Sequence, residues 1–205
     1  MNKSGLKTTT VLTAFALLAA LLISSLDQQL AERIAQNERE HQARQLRALL
    51  SQVTFDNEPM LTPLTAGTTA DSEPATAIFV ARQAQTPVAV IIETETAAGY
   101  VGPIRLLISV TPDGSILGTS VVSHTETPGL GDLIEAGKSD WLTQFNGRSL
   151  REPDRENWKV TQDGGEFDSL TGATVTSRAV TALIAETLRQ LEEQPASFLT
   201  AATEE

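Results

Sequence analysis

Ile104-Arg105-Leu106-Leu107-Ile108-Ser109-Val110-Thr111-Pro112-Asp113-Gly114-Ser115-Ile116 decides the fold class of this chain. An apolar, β-branched run is halted by Thr-Pro-Asp-Gly, where proline presets φ for a turn and glycine accepts positive φ. The strand pattern resumes over Ile116–His124, so the two runs predict a β-hairpin. Toward the N-terminus, Val88–Thr94 and Ile78–Ala81 have the same character, and the four runs predict one antiparallel meander. Toward the C-terminus the period changes. Leu133, Ile134, Trp141, Leu142 and Phe145 fall in two segments expected to be helical, about Asp132–Gly137 and Ser139–Phe145, able to face the sheet. Trp158–Val160 is a candidate further strand. Val180, Leu183, Ile184, Thr187, Leu188 and Leu191 recur at helical spacing and predict a closing helix over about Val175–Glu193. Strands followed by helices give an α+β domain with a mainly antiparallel sheet.

Thr8 to Leu26 is an uncharged, mostly apolar run of 19 residues, close to the roughly 20 that cross a bilayer as a helix. It is longer than the apolar core of a signal peptide, and no A-x-A-like site follows it, so an uncleaved anchor is expected. Lys3 and Lys7 precede the run and place residues 1–7 in the cytoplasm by the positive-inside rule. No Gly or Pro occurs between Leu6 and Glu58. The membrane helix, residues 8–26, is therefore expected to continue outward as a long helix and connection over 27–58. Leu30, Ile34, Leu46, Leu49, Leu50 and Val53 form its intermittent apolar stripe. Residues 59–86, rich in Thr, Ala and Pro, read as a linker, 87–194 as the folded domain and 195–205 as an acidic tail.

Composition narrows the chemistry. The chain has 205 residues and no Cys, which excludes thiolate-held iron–sulfur clusters, thiolate zinc and disulfides within it. Two His, His41 and His124, stand far apart, so neither a bis-His haem nor a metal site is expected. A net charge of −11 repels nucleic acid. Electron carriage by this chain would need an organic cofactor.

Asp168-Ser169-Leu170-Thr171-Gly172-Ala173-Thr174-Val175-Thr176-Ser177 is where such a cofactor would attach. An acid, several hydroxyls and a Gly-Ala pair sit directly before the closing helix, so Thr174 falls at or just before its N-terminus. That end offers unpaired backbone N–H groups and a partial positive charge, which favour a phosphate. Hydroxyl-rich helix starts are common as caps, so four residues alone would not decide the matter. The spacing Asp168-x-x-Thr171-Gly172-Ala173-Thr174, however, resembles the flavinylation motif of FMN-binding-domain proteins. The resemblance implies FMN joined to Thr174 by a phosphoester, with Asp168, Leu170, Thr171, Gly172 and Ala173 around it.

A second constellation, Thr125-Glu126-Thr127-Pro128-Gly129-Leu130-Gly131-Asp132, joins the last strand to the next segment. Its two glycines and proline shape a surface for close approach. Leu130 can offer flat apolar contact to a flavin ring, and Thr127 or backbone N–H groups can meet its polar edge. Glu126 either meets the ring or holds the loop through backbone hydrogen bonds. Taken alone, the stretch is a strand-to-helix connection capped by Asp132.

Order along the chain adds to this. Gly99-Tyr100-Val101-Gly102-Pro103-Ile104, His124 to Gly131, Asp163-Gly164-Gly165-Glu166-Phe167 and Asp168 to Thr174 resemble the G subunits of Rnf (Rsx) electron transport complexes. So do the anchor and Phe55-Asp56-Asn57 after the long helix. The C subunit of the sodium-translocating NADH:quinone oxidoreductase is a more distant likeness. The resemblance implies a covalent-FMN electron carrier, non-catalytic alone, in a membrane complex coupling electron transfer to Na⁺ or H⁺ translocation. Its partners would be the other subunits, the lipid bilayer and, during maturation, a flavin transferase. The flavin domain would lie on the periplasmic side of an inner membrane. Two other classes stand as alternatives: a membrane-anchored regulatory flavoprotein and a flavin-free structural subunit.

Overall fold

The computed structural model describes residues 12, 13, 15–17, 44–57 and 77–193. The chain divides into two compact units, 1–44 and 45–205. In the first, Leu12, Phe15 and Leu17 are helical and exposed. The rest of the 8–26 run lies outside the described residues, among which no helix is long and apolar enough to cross a membrane.

The second unit is built on a four-stranded sheet of order β1-β2-β3-β4: β1 Ala77–Gln83, β2 Thr86–Thr96, β3 Ile104–Val110 and β4 Ile116–His124. All neighbours are antiparallel, as the meander pattern predicts. The β3–β4 turn closes where proline and glycine place it, with Gly114 at φ +90° and its N–H donating to the Thr111 carbonyl. The β1–β2 turn carries no such signal. Ala84 and Gln85 both adopt positive φ there, the geometry a two-residue hairpin needs. The Ala84 N–H is held by the Asp56 carboxylate at 2.7 Å.

Side chains alternate across a strand, and this sheet is covered on both faces. Ile78, Val80, Val90, Ile92, Ile104, Leu106 and Ile108 point to one face, beneath Val180, Leu183, Ile184 and Leu188 of the closing helix, Thr174–Glu193. Ala81, Ala89, Ile91 and Leu107 point to the other, where Leu46, Leu49 and Leu50 pack. The end of the apolar stripe expected on the long N-terminal helix therefore serves as a lid on the sheet. Asp56 and Asn57 complete the attachment along β1. The Asp56 N–H donates to the Arg82 carbonyl at 2.9 Å. The Asn57 amide donates to the Val80 carbonyl and accepts the Arg82 N–H, each at 2.8 Å. These bonds occupy a sheet edge that would otherwise be open. Leu50→Ala is expected to lower stability by about 2–5 kcal/mol, read from the urea midpoint of the full-length chain. An unchanged midpoint would mean that residues 45–57 leave the sheet in solution.

Three sequence expectations need correction. The linker expected over 59–86 runs too far: β1, predicted over Ile78–Ala81, occupies its last part, where alternating burial and pairing with β2 bring it into the sheet. The two helices expected before Gly137 and Phe145 are short 3₁₀ turns, Gly131–Ile134 and Trp141–Phe145. Each ends too soon to establish an α-helical ladder. Trp158–Val160 makes no strand: Val160 forms a single bridge to Phe167, and Trp158 and Phe167 instead stack in an aromatic cluster with Phe145.

Candidate cofactor site

The closing helix begins at Thr174. The Ser177 N–H donates to the Ala173 carbonyl at 3.0 Å, the first bond of the helical ladder. That leaves the N–H groups of Thr174, Val175 and Thr176 without an acceptor among the described residues, as at any uncapped helix start. Gly172 makes the approach possible. Its φ is +80°, and a Cβ there would lie 3.0 Å from the Leu130 side chain.

Five hydroxyls lie between Ser169 and Ser177, and the fold distinguishes them. Ser177 is buried, accepting the Leu170 N–H and donating to the Ala173 carbonyl. Thr176 is buried and donates to Glu126 at 2.5 Å. Ser169 and Thr171 precede the helix. Thr174 alone combines a place in the first helical turn with partial exposure and a hydroxyl that has no hydrogen bond among the described residues.

Thr174 opens on a cleft of about 340 Å³, within the range of small-ligand sites. Glu126, Thr127, Leu130, Gly172 and Ala173 also line it, so six of the residues singled out by sequence come together. Asp168, Leu170 and Thr171 are not among its lining residues. Leu170 packs in the core. Asp168 is exposed, and its backbone is fixed by Trp141 Nε1, which donates to its carbonyl at 2.7 Å, and by Gln144, which accepts its N–H at 2.7 Å. The cleft also takes in Gly131 of the shaped loop and three residues to which sequence alone gave no contact role, Tyr100, Val175 and Thr176. Helical geometry would have supplied the last two, since they share the first turn with Thr174. A second cleft, about 250 Å³, lies at the β3–β4 turn beside Leu188 and Leu191 and has no hydroxyl at a helix start.

The loop beneath the cleft is set by charge. His124 Nδ1 accepts the Glu126 N–H at 3.0 Å, so the ring hydrogen resides on Nε2 and is donated to Glu135 at 2.9 Å. Lys138 reaches Glu135 at 2.6 Å and the buried Asp132 at 2.9 Å. Its ammonium holds both carboxyls below the usual carboxylate range, with His124 adding to the effect on Glu135. These depressed values mean the network contributes at neutral pH and is lost only as acid protonates the two carboxylates. Among the described residues, no Lys or Arg lines the cleft itself. A bound phosphate would meet the helix N–H groups rather than a side-chain cation.

The residues fit FMN. Three unpaired N–H groups and a free hydroxyl suit the phosphate end. Leu130 and Val175, each 43% exposed, and Tyr100, 70% exposed, give the cleft apolar surface that a flat ring can cover.

A four-stranded antiparallel sheet under one long helix, with a hydroxyl and unpaired amides opening that helix, is the build of an FMN-binding domain, and residues 99–189 match that family. Residues 1–49 match the RnfG N-terminal region. The G subunit of the ion-translocating oxidoreductase complex of Pseudomonas aeruginosa is 40% identical over 193 residues, covering 93% of this chain and 90% of that protein. Its counterpart in Cereibacter sphaeroides is 41% identical over 189 residues, covering 92% and 85%. The chain belongs to the family of G subunits of ion-translocating oxidoreductase complexes. Among solved structures, that of Shewanella oneidensis NqrC aligns at a TM-score of 0.49 with 22% identity, covering 73% of this chain and 76% of that one.

Proposed function

We propose that this chain is the covalent-FMN electron-carrier subunit of a membrane complex coupling electron transfer to Na⁺ or H⁺ translocation, with FMN esterified to Thr174. The observation that carries it is the free Thr174 hydroxyl in a first helical turn with unpaired amides, opening on an apolar-walled cleft. FMN supplies the ability to take up and pass on one or two electrons. The chain's own part is to hold and shape. Thr174 would tether the phosphate, the helix N–H groups would offset its charge, and Leu130, Val175 and Tyr100 would shield the ring from water. Thr127, on the cleft wall, would be able to hydrogen-bond the ring edge. Asp168 would orient the hydroxyl or be recognised by the flavin transferase, and its place off the cleft favours recognition; the transferase would move the FMN moiety of FAD onto the Thr174 oxygen, releasing AMP. A tether keeps the cofactor at high effective concentration where dissociation would dilute it away.

Family membership supports assembly with the other subunits of the complex. Residues 8–26 are assigned as the bilayer segment and the flavin domain to the periplasmic side, on the strength of Lys3 and Lys7. Protease added to spheroplasts is expected to digest the domain, and osmotic shock to leave it with the membrane. Protection from protease, or release of an intact soluble domain, would contradict that arrangement. Flavin fluorescence of the denatured protein band under ultraviolet light tests the cofactor: a dark band from the native host would favour a flavin-free structural subunit.

Ring contacts have their own test. Leu130→Ala and Thr127→Ala are each expected to shift the flavin spectrum and midpoint potential while leaving attachment intact, because they line the cleft and leave the Thr174 hydroxyl in place. Spectra and potentials matching the parent for both variants would reduce the 125–131 loop to a connection.

A further inference from the structure

Glu126 is the one carboxylate lining the cleft among the described residues, yet both of its oxygens are engaged from within the protein. Oε1 accepts the Val101 N–H at 3.1 Å and Oε2 accepts the Thr176 hydroxyl at 2.5 Å. The residue is only 4% exposed. One side chain thus fastens three segments distant in sequence: the 99–102 loop, the 125–131 loop and the first turn of the closing helix. The backbone is shaped around it. A Cβ at Gly99 would lie 2.1 Å from the Gly102 carbonyl oxygen and 2.8 Å from Glu126 Oε1, so the turn itself and the carboxylate both exclude a side chain there. One at Gly131 would lie 2.8 Å from Glu126 Oε2 and 3.0 Å from Thr176 Oγ1. Glycine at 131 is what lets the chain close on the carboxylate. A plain strand-to-helix connection has no need of a buried carboxylate, which is costly unless hydrogen-bonded.

The bridge joins two functional parts. At one end, Thr176 lies two residues beyond Thr174 on the same turn. At the other, Val101 follows Tyr100, the exposed aromatic at the edge of the cleft. We infer that Glu126 is a positioning residue: through Thr176 and Val101 it fixes Tyr100 as the aromatic wall facing the attachment turn, acting by its hydrogen bonds and not by its charge. The inference rests on the cleft being the flavin site.

Side-chain chemistry separates bond from charge. Glutamine at 126 can keep both contacts, its carbonyl accepting the Val101 N–H and its amide donating to Thr176, whose hydroxyl can accept. Alanine loses both contacts. Valine at 176 loses one at nearly constant shape, and serine there keeps it. The full-length chain is compared in two forms, flavin-loaded and, with Thr174→Ala, flavin-free. The first is read by visible circular dichroism and midpoint potential, the second by amide hydrogen exchange over residues 99–102.

Glu126→Ala and Thr176→Val are expected to speed that exchange roughly fivefold, the scale of a lost hydrogen bond, and to change the flavin dichroism. Tyr100→Ala should reproduce the dichroism change. Glu126→Gln and Thr176→Ser should return every readout to the parent's. Should Glu126→Gln shift potential and dichroism as far as Glu126→Ala, the charge is what acts and the inference falls. It also falls if exchange over 99–102 is unmoved by Thr176→Val, a variant that keeps the helix even if Glu126→Ala does not fold. A parent chain with no flavin on Thr174 would instead overturn the proposed function, and with it the purpose of the bridge, whereas the exchange results judge the bridge itself.

Discussion

Replacing Thr174 with alanine is expected to abolish the flavin fluorescence of the denatured band while changing stability by no more than about 0.5 kcal/mol. The loss is complete because each alternative acceptor is disqualified. Thr176 and Ser177 are buried and hydrogen-bonded, and Ser169 and Thr171 stand ahead of the helix. The fold survives because the Thr174 hydroxyl has no hydrogen bond among the described residues. The first helical bond runs to the Ala173 carbonyl and does not involve the Thr174 side chain. Alanine also favours the helix. Thr174→Ser, which keeps a hydroxyl at the same place, should retain attachment. A fluorescent Thr174→Ala band, or an unfolded protein, would contradict this account of the helix start.

Phe145→Ala should be the most damaging single change in the core, costing roughly 3–5 kcal/mol out of the 5–15 typical of a domain. Phe145 is fully buried. Its ring meets Phe167 at 4.7 Å, Trp141 edge-on at 5.4 Å and Trp158 at 6.2 Å. The cluster matters beyond stability, since it fixes the irregular stretch that delivers the attachment segment. Phe167 directly precedes Asp168, and Trp141 holds the Asp168 carbonyl. Urea unfolding should therefore show an early midpoint, and flavin content should fall with it even though the cleft is untouched. A cost under about 1 kcal/mol would mean that the cluster is not the support of the segment. Full flavin content despite a large cost would separate stability from attachment.

What the sequence disclosed follows from how local each signal is. The β3–β4 hairpin and the closing helix were legible because Pro112, Gly114 and the helical period of Val180 to Leu191 act within a few residues. The helix start was legible for the same reason, and Thr174 stands where the hydroxyl pattern put it. The β1–β2 turn was not, since Ala84 and Gln85 are ordinary residues held at positive φ by a tertiary contact from Asp56. The edge strand was legible over Ile78–Ala81, but the linker drawn to residue 86 overran it, because β1 sits beside a Thr/Pro-rich stretch that dominates the local composition. The 3₁₀ turns share their apolar spacing with short α-helices, and only their neighbours decide between them. At the site, Glu126 and Thr176 are separated by 50 residues, a pairing no local pattern announces. Gly165 is a further case. A Cβ there would lie 2.0 Å from the Lys159 carbonyl, a constraint visible only once the chain has turned back on itself.

Fragment mass mapping of the chain purified from its native host tests the central claim most directly. Trypsin should release residues 160–178 as one peptide, bounded by Lys159 and Arg178 and holding every hydroxyl of the attachment segment. The expected peptide is heavier than its sequence by one FMN less one water, and its fragment ions place that mass on Thr174. An adduct on Thr171 or Thr176, or a peptide of unmodified mass from a chain purified within its complex, would contradict the account.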